Sequence, residues 1–129
     1  MAALKIDPEF RSLIPPLTEE ERRDLERNLV KDGCRDALVV WKETGILLDG
    51  HNRLEICDRL GIKYRVDEVA IADRTSAKVW ILRNQLGRRN LTPFALAELK
   101  LRLKPLIEEQ AKARQKGGQG RIEDENGEE

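Results

Sequence analysis

The sequence contains few of the residues that build metal centres or cross-linked secreted domains. Only two cysteines and one histidine occur among its 129 residues. Cys34 and Cys57 form no Cys-x-x-Cys pair and have no Cys/His ligand spacing, which argues against a disulfide scaffold and a zinc site. We therefore expect no metal-ligating cluster and two reduced thiols, as is usual in the cytoplasm.

Long apolar segments and aromatic residues are also scarce. No run approaches the roughly 20 apolar residues that a membrane-spanning helix needs, and the first residues lack the apolar segment of a secretion signal. Aromatic residues make up 4% of the chain and hydrophobic residues 40%. These features predict a cytoplasmic globular domain without a membrane partner, with a core of Leu, Ile, Val and Ala.

Charge is segregated along a chain whose net charge is zero. Residues 83–116 contain nine Lys/Arg and three Asp/Glu, a balance of +6, whereas residues 117–129 have a balance of −4. A basic C-terminal third suits a polyanionic partner, but a solvated helix face followed by a soluble tail explains the same pattern. We expect an ordered domain over residues 1–116 and a disordered acidic tail over 117–129.

Turn and capping signals divide the ordered part into alternating helices and strands. Residues 1–16 are expected to be extended because proline disfavours helix there. The expected helices run from Thr18 to Gly33, over 51–60, from about 73–75 to Gly87, and from Thr92-Pro93 onward with a kink or an end at Pro105. Strands are expected over 37–41, 46–48 and 63–69. The pattern predicts an α/β or α+β fold with a small sheet.

The segment from Asp49 to Arg53 joins an apolar strand to a helix start. The first amides of a helix favour an anion, Gly50 lets the backbone approach a ligand, and His51 and Arg53 add donors. Asp49 is the candidate general base. The alternative is an Asp-Gly turn in which Asp49 caps the helix and Arg53 forms a surface ion pair.

A second polar segment ends one helix and starts the next. Arg88 and Arg89 can contact phosphates, and the amides of Asn84 and Gln85 can hydrogen-bond a sugar, a base or a metal-bound water. The alternative is ordinary capping with solvated arginines.

Together, the two segments resemble boxes of the ParB/sulfiredoxin-like superfamily, above all in ParB-like proteins of plasmids, phages and integrating elements. Residues 50–55 are similar to its Gly-Glu-Arg-Arg box, and residues 84–93 to its Glu-Asn-x-Gln-Arg-x-x-Leu-x-Pro box. Residues 33–40 resemble its first nucleotide-contacting loop and strand. The resemblance covers about residues 5–106 and implies the ParB N-terminal domain fold, a small mixed sheet flanked by about four helices.

The resemblance also implies a function. It indicates a switch or binding module of a DNA partition or replication-associated protein that takes CTP or ATP, with Mg²⁺. Residues 50–53 would hold phosphates, the second box would close over them, and Gly33 would face base or ribose. The implied nucleotide-binding residues are Gly33, Gly50, His51, Asn52, Arg53, Asn84, Gln85 and Arg88. In ParB, CTP drives two N-terminal domains together as a clamp on DNA, so a homodimer is implied as well.

The sequence departs from ParB at both boxes. Asn84 and Gln85 stand where ParB has a carboxylate and an amide that position Mg²⁺, which weakens the case for hydrolysis. His51-Asn52 is nearer to the Gly-x-His-Arg type of sulfiredoxin and free-serine kinase. Because position 51 is not cysteine and Cys57 is expected in the core, we do not expect sulfiredoxin activity.

Other functions remain open from the residues. A phosphotransferase resembling free-serine kinase would use Asp49 as base, although its second essential acid cannot be placed. A nuclease is not expected, because no carboxylate or histidine cluster has two-metal character. Only one helix and a polar tail follow the last box, so either the chain is a fragment or its DNA role is non-specific or absent. Non-specific DNA contact would use Arg89, Lys100 and Lys104.

Overall fold

A computed structural model describes residues 4–88 and 91–119, with side chains described as far as residue 115. These residues form two compact units, with the division between Asp73 and Arg74. Within the described part of the chain, no helix combines the length and apolarity that crossing a membrane requires.

The first unit begins with a short helix that the sequence did not suggest. α1 (Pro8–Ser12) starts at Asp7, whose side chain accepts a hydrogen bond from the Phe10 amide at 3.1 Å. The expectation of extended backbone is wrong here, because proline at the first helical position loses no hydrogen bond and its fixed φ suits a helix. Phe10 is fully buried and packs 6.1 Å from the Trp41 ring, measured between centroids.

The second helix has the predicted start and end. α2 (Glu19–Asp32) begins with a capping box, in which Thr18 Oγ1 accepts from the Glu21 amide at 3.1 Å and the Thr18 amide donates to Glu21 Oε1 at 2.9 Å. Gly33 ends the helix at a φ of 77°. Such a capping box stabilises a helix by about 1 kcal/mol.

A mixed three-stranded sheet follows, in the order β2-β1-β3. β1 (Leu38–Trp41) pairs antiparallel with β2 (Ile46–Asp49) and parallel with β3 (Val66–Val69). Parallel neighbours need a crossover, and α3 (His51–Leu60) lies between β2 and β3 in the chain. The helix over 51–60 is confirmed, whereas the third strand covers only the second half of the predicted 63–69.

The core of this unit is mostly aliphatic, as predicted. One cluster contains Leu38, Leu47 and Leu54, and another contains Leu29, Ile56 and Cys57. Each fully buried aliphatic side chain contributes roughly 1.5–3 kcal/mol. Cys57 is a core residue, as expected, whereas Leu60 is exposed.

The second unit is a pair of helices, α4 (Arg74–Leu86) and α5 (Pro93–Gln119). Residues early in α4 contact residues late in α5, which makes the pair antiparallel: Thr75 Oγ1 donates to Glu109 Oε2 at 2.6 Å, and Gln110 Nε2 donates to Ser76 Oγ at 3.1 Å.

α5 runs further than the sequence suggested. Thr92 caps its start, accepting from the Ala95 amide at 3.1 Å, and the helix continues past Pro105 to Gln119. Pro105 therefore does not end the helix. The helix includes three residues of the tail expected over 117–129, and residues 120–129 lie outside the described residues. In class, the chain is a mixed α+β fold with three strands and five helices in its described part.

Candidate functional site

The turn into α3 is set by a glycine that no other residue can replace without strain. Gly50 is buried at the helix start with a φ of 102°. A Cβ there would lie 2.4 Å from Leu38 Cδ2 and 3.2 Å from Arg53 Nη2. Gly50 itself occupies the N-cap position of α3 and provides no side-chain cap.

The first amides of α3 are available to an external acceptor. The first hydrogen bond of the helix runs from the Leu54 amide to the Gly50 carbonyl at 2.8 Å. No acceptor for the amides of residues 51–53 occurs among the residues that the structure describes. The first turn carries no acidic residue. Three unpaired N–H groups at the positive end of a helix are an arrangement that favours an anion.

His51 lies in this turn with neither ring nitrogen satisfied. Its side chain is 5% exposed, and both Nδ1 and Nε2 are buried without a hydrogen-bond partner within the described residues. Burial, assisted by the positive charge of Arg11, lowers the pKa of His51, while the Asp49 carboxylate opposes the change. Buried polar groups in native proteins nearly always have partners, so the unpaired imidazole and amides offer hydrogen-bonding atoms to a polar ligand.

Arg53 connects the helix start to the segment that precedes β1. Its Nη1 donates to the Asp36 carbonyl at 2.8 Å, and its Nη2 donates to Asp49 Oδ2 at 3.3 Å. The Arg53 and Asp49 side chains are only 14% and 13% exposed. The predicted surface ion pair is therefore largely buried. A guanidinium group has five N–H donors, so these two contacts leave donors for an anion.

The structure brings the segment after Gly33 next to the start of α3. The Asp36 carbonyl, three residues after Gly33, accepts from Arg53. Gly33 itself has a φ of 77° and open space where a Cβ would point. Asn52 is partly buried in the first turn of α3. Sequence reasoning missed Asp36 and Arg11, because a backbone carbonyl has no sequence signal and α1 was not expected.

The other predicted nucleotide-binding residues lie at the end of α4, in the second unit. Gln85 is 4% exposed, and Asn84 Nδ2 is buried without a hydrogen-bond partner in the described segments. Arg88 is exposed, and its amide donates to the Gln85 carbonyl at 3.1 Å. Arg89 lies outside the described residues.

The residues predicted to contact DNA are on α5. Lys100 and Lys104 are both exposed and lie one turn apart, so they share a face. Arg102 forms an ion pair with Glu98 at 3.7 Å. No cluster of three His, Cys, Asp or Glu residues that would hold a metal occurs in residues 4–88 and 91–119.

Comparisons with known proteins agree with this fold. No protein-family model and no curated protein matches the sequence. The solved structure of a Pnob8-like ParB-N domain in a C2221 crystal form matches 90% of the chain with a TM-score of 0.75 and 25% identity. This chain is similar to a ParB N-terminal domain. It covers 47% of that solved chain, or about half its length. The predicted ParB-like α+β fold is confirmed.

Proposed function

We propose that this chain is a nucleotide-binding module of the ParB type that acts as a switch domain in a DNA partition or replication-associated protein. Its ligand is CTP or ATP with Mg²⁺. The observation that carries the proposal is the start of α3, where three unpaired amides, an orphaned His51 and a largely buried Arg53 lie in one turn.

The residues of this turn suit a triphosphate for a physical reason. Phosphate oxygens carry negative charge and accept several hydrogen bonds, and a helix N-terminus offers aligned N–H donors and a positive dipole end. Arg53 adds guanidinium donors in a fixed plane, and its two protein contacts hold that plane in position before a ligand arrives. A donor held in advance loses less entropy on binding.

Two further segments, one in each unit, carry the remaining proposed contacts. Arg53 joins its helix to the Asp36 carbonyl, so the segment after Gly33 is where the base or ribose would lie. Asn84, whose buried Nδ2 has no hydrogen-bond partner among the described residues, and Gln85 would contact the nucleotide or a Mg²⁺-bound water. Arg88 would hold phosphate from that second segment. Neutral amides bind Mg²⁺ less well than carboxylates, so binding rather than rapid hydrolysis is the expected activity.

Titration calorimetry with CTP, ATP, GTP and UTP, with and without Mg²⁺, tests the proposal. We expect CTP or ATP to bind in the micromolar range, about −8 kcal/mol. Arg53→Ala should weaken this binding at least about tenfold, or roughly 1.4 kcal/mol. The folded fraction of each variant is measured by urea unfolding at the assay temperature, because Arg53 also pairs with the largely buried Asp49.

Arg59→Ala is the matched control. Arg59 is on the same helix, but its guanidinium is 45% exposed and pairs with Glu26 and Glu55. Such surface pairs contribute little, so this variant should bind nucleotide as the unchanged chain does. Absence of heat with all four nucleotides, or equal losses in Arg53→Ala and Arg59→Ala, would refute the proposal.

A further inference from the structure

The two cysteines lie beside each other although 22 residues separate them in the sequence. Cys57 is on α3 and is 1% exposed within the cluster that also contains Leu29 and Ile56. Cys34 follows the end of α2, is partly buried, and packs against the same cluster. Both thiols are free. The fold therefore places two reduced sulfur atoms at one point on the boundary of the core.

The two thiols differ in access and in chemistry. Burial, reinforced by the charge of Cys34 and a hydrogen bond with its thiol, raises the pKa of Cys57 from 9.0 to about 11. Cys57 is therefore protonated at neutral pH, so its sulfur attacks another atom only as its proton is removed. The Cys34 thiol donates weakly to the Asp36 carbonyl at 3.4 Å and is the one that a dissolved oxidant can reach.

We propose that Cys34 and Cys57 form a reversible intramolecular disulfide in the folded chain, with a hydroperoxide as the oxidant. The Cys34 thiolate attacks the peroxide oxygen, and the O–O bond breaks to give a Cys34 sulfenic acid and an alcohol. The Cys57 sulfur then attacks the Cys34 sulfur, and hydroxide leaves and takes the Cys57 proton as water. The two thiols lose two electrons and two protons in total, and the peroxide is reduced to an alcohol and water.

The bond would act on a segment already joined to α3. The Asp36 carbonyl accepts from both Cys34 Sγ and Arg53 Nη1. Oxidation removes the Cys34 donor and replaces it with a covalent link between the same segment and the middle of α3. The inference rests on the packing of the two thiols alone, so it stands or fails independently of nucleotide binding.

Mass spectrometry of the full chain provides the test. Reduced protein is treated with tert-butyl hydroperoxide at neutral pH, quenched with N-ethylmaleimide and measured intact. We expect a monomer lighter by two hydrogen atoms, without maleimide, that dithiothreitol returns to two reactive thiols. Closing a loop of this length should raise the thermal midpoint by about 10 °C relative to the reduced chain.

Two single variants serve as controls. In Cys34→Ser, which changes only a partly buried position, Cys57 should stay reduced under conditions that oxidise the unchanged chain, because the core shields it. In Cys57→Val, which fills the same core space, Cys34 should stop at the sulfenic acid or react with maleimide. Disulfide-linked dimers, sulfinic acids in place of the internal bond, or oxidation of Cys57 in Cys34→Ser would overturn the proposal.

Discussion

Replacing Gly50 with alanine should cost this chain more stability than the same change at any other glycine with a positive φ. An L-residue with positive φ costs roughly 1–2 kcal/mol. At Gly50, with a φ of 102°, the new methyl group also lies 2.4 Å from Leu38 Cδ2. Overpacking of a core costs about 1–3 kcal/mol, and Leu38 is fully buried. Gly50→Ala should therefore destabilise the chain by about 2–5 kcal/mol.

Gly61→Ala isolates the contribution of the steric contact. Gly61 ends the same helix with a φ of 70° and has no atom within 4 Å of a Cβ position. Gly61→Ala should lose only the stability that backbone strain costs, about 1–2 kcal/mol. Urea unfolding of both variants gives the comparison, and an unchanged m-value shows that only stability differs.

The assignment of the contact can be tested directly. Leu38→Val removes the terminal methyl groups of the leucine, including Cδ2, and costs on the order of 1 kcal/mol by itself. The double variant Leu38→Val/Gly50→Ala should lose less stability than the sum of the two single variants, because the clash with Cδ2 is then absent. If Gly50→Ala is no more destabilising than Gly61→Ala, or if the double variant is simply additive, the steric argument is wrong.

Two further predictions concern titration and charge. Because the pKa of His51 is lowered in the folded chain, the unfolded chain takes up its proton first as the pH falls. The stability that neutral His51 provides is therefore complete above pH 6.5 and declines below it, by at most about 1.4 kcal/mol per pH unit. Urea unfolding at a series of pH values should show less of this decline in His51→Gln. Non-specific binding to duplex DNA should weaken in Lys100→Ala/Lys104→Ala, with the slope of log K against log salt reduced by about 2. Lys63→Ala, in the other unit, should leave that slope unchanged, and salt-insensitive binding would contradict the prediction.

Local signals account for much of what the sequence predicted correctly. The capping box at Thr18 and the glycine at position 61 each involve only a few neighbouring residues, so their meaning does not depend on the rest of the fold. Helix boundaries at 51–60 followed from such signals. The short helix α1 was missed although Asp7 and Pro8 provide a local cap-and-proline signal, because the prediction counts proline there only as a residue that disfavours helix. Leu60 fits the apolar spacing of α3, yet it is exposed, since spacing alone does not say where a helix face ends.

The residue types of the candidate site came from sequence motifs, whereas its internal contacts did not. The Asp-Gly step followed by a helix indicated an anion site, and the structure has the corresponding unpaired amides. The Asp36 carbonyl could not be predicted, because any residue supplies one and only the fold selects it. The orphaned state of His51 also depends on burial by the surrounding residues. Contacts between residues that are distant in the sequence can be identified only from the tertiary structure.

The ion pair between Asp49 and Arg53 bears on which chemistry the site performs. A general base needs an accessible oxygen near the substrate hydroxyl, but Asp49 is 13% exposed and its Oδ2 accepts from Arg53 at 3.3 Å. The same contact fixes the guanidinium plane that a phosphate would meet. In a binding module the carboxylate is thus a positioning group, and Asp49→Asn, which can still accept that hydrogen bond, should retain most nucleotide affinity. In a phosphotransferase, Asp49→Asn would abolish turnover with hydroxyl acceptors. Turnover in the unchanged chain that is lost in Asp49→Asn would therefore show that the chain is an enzyme.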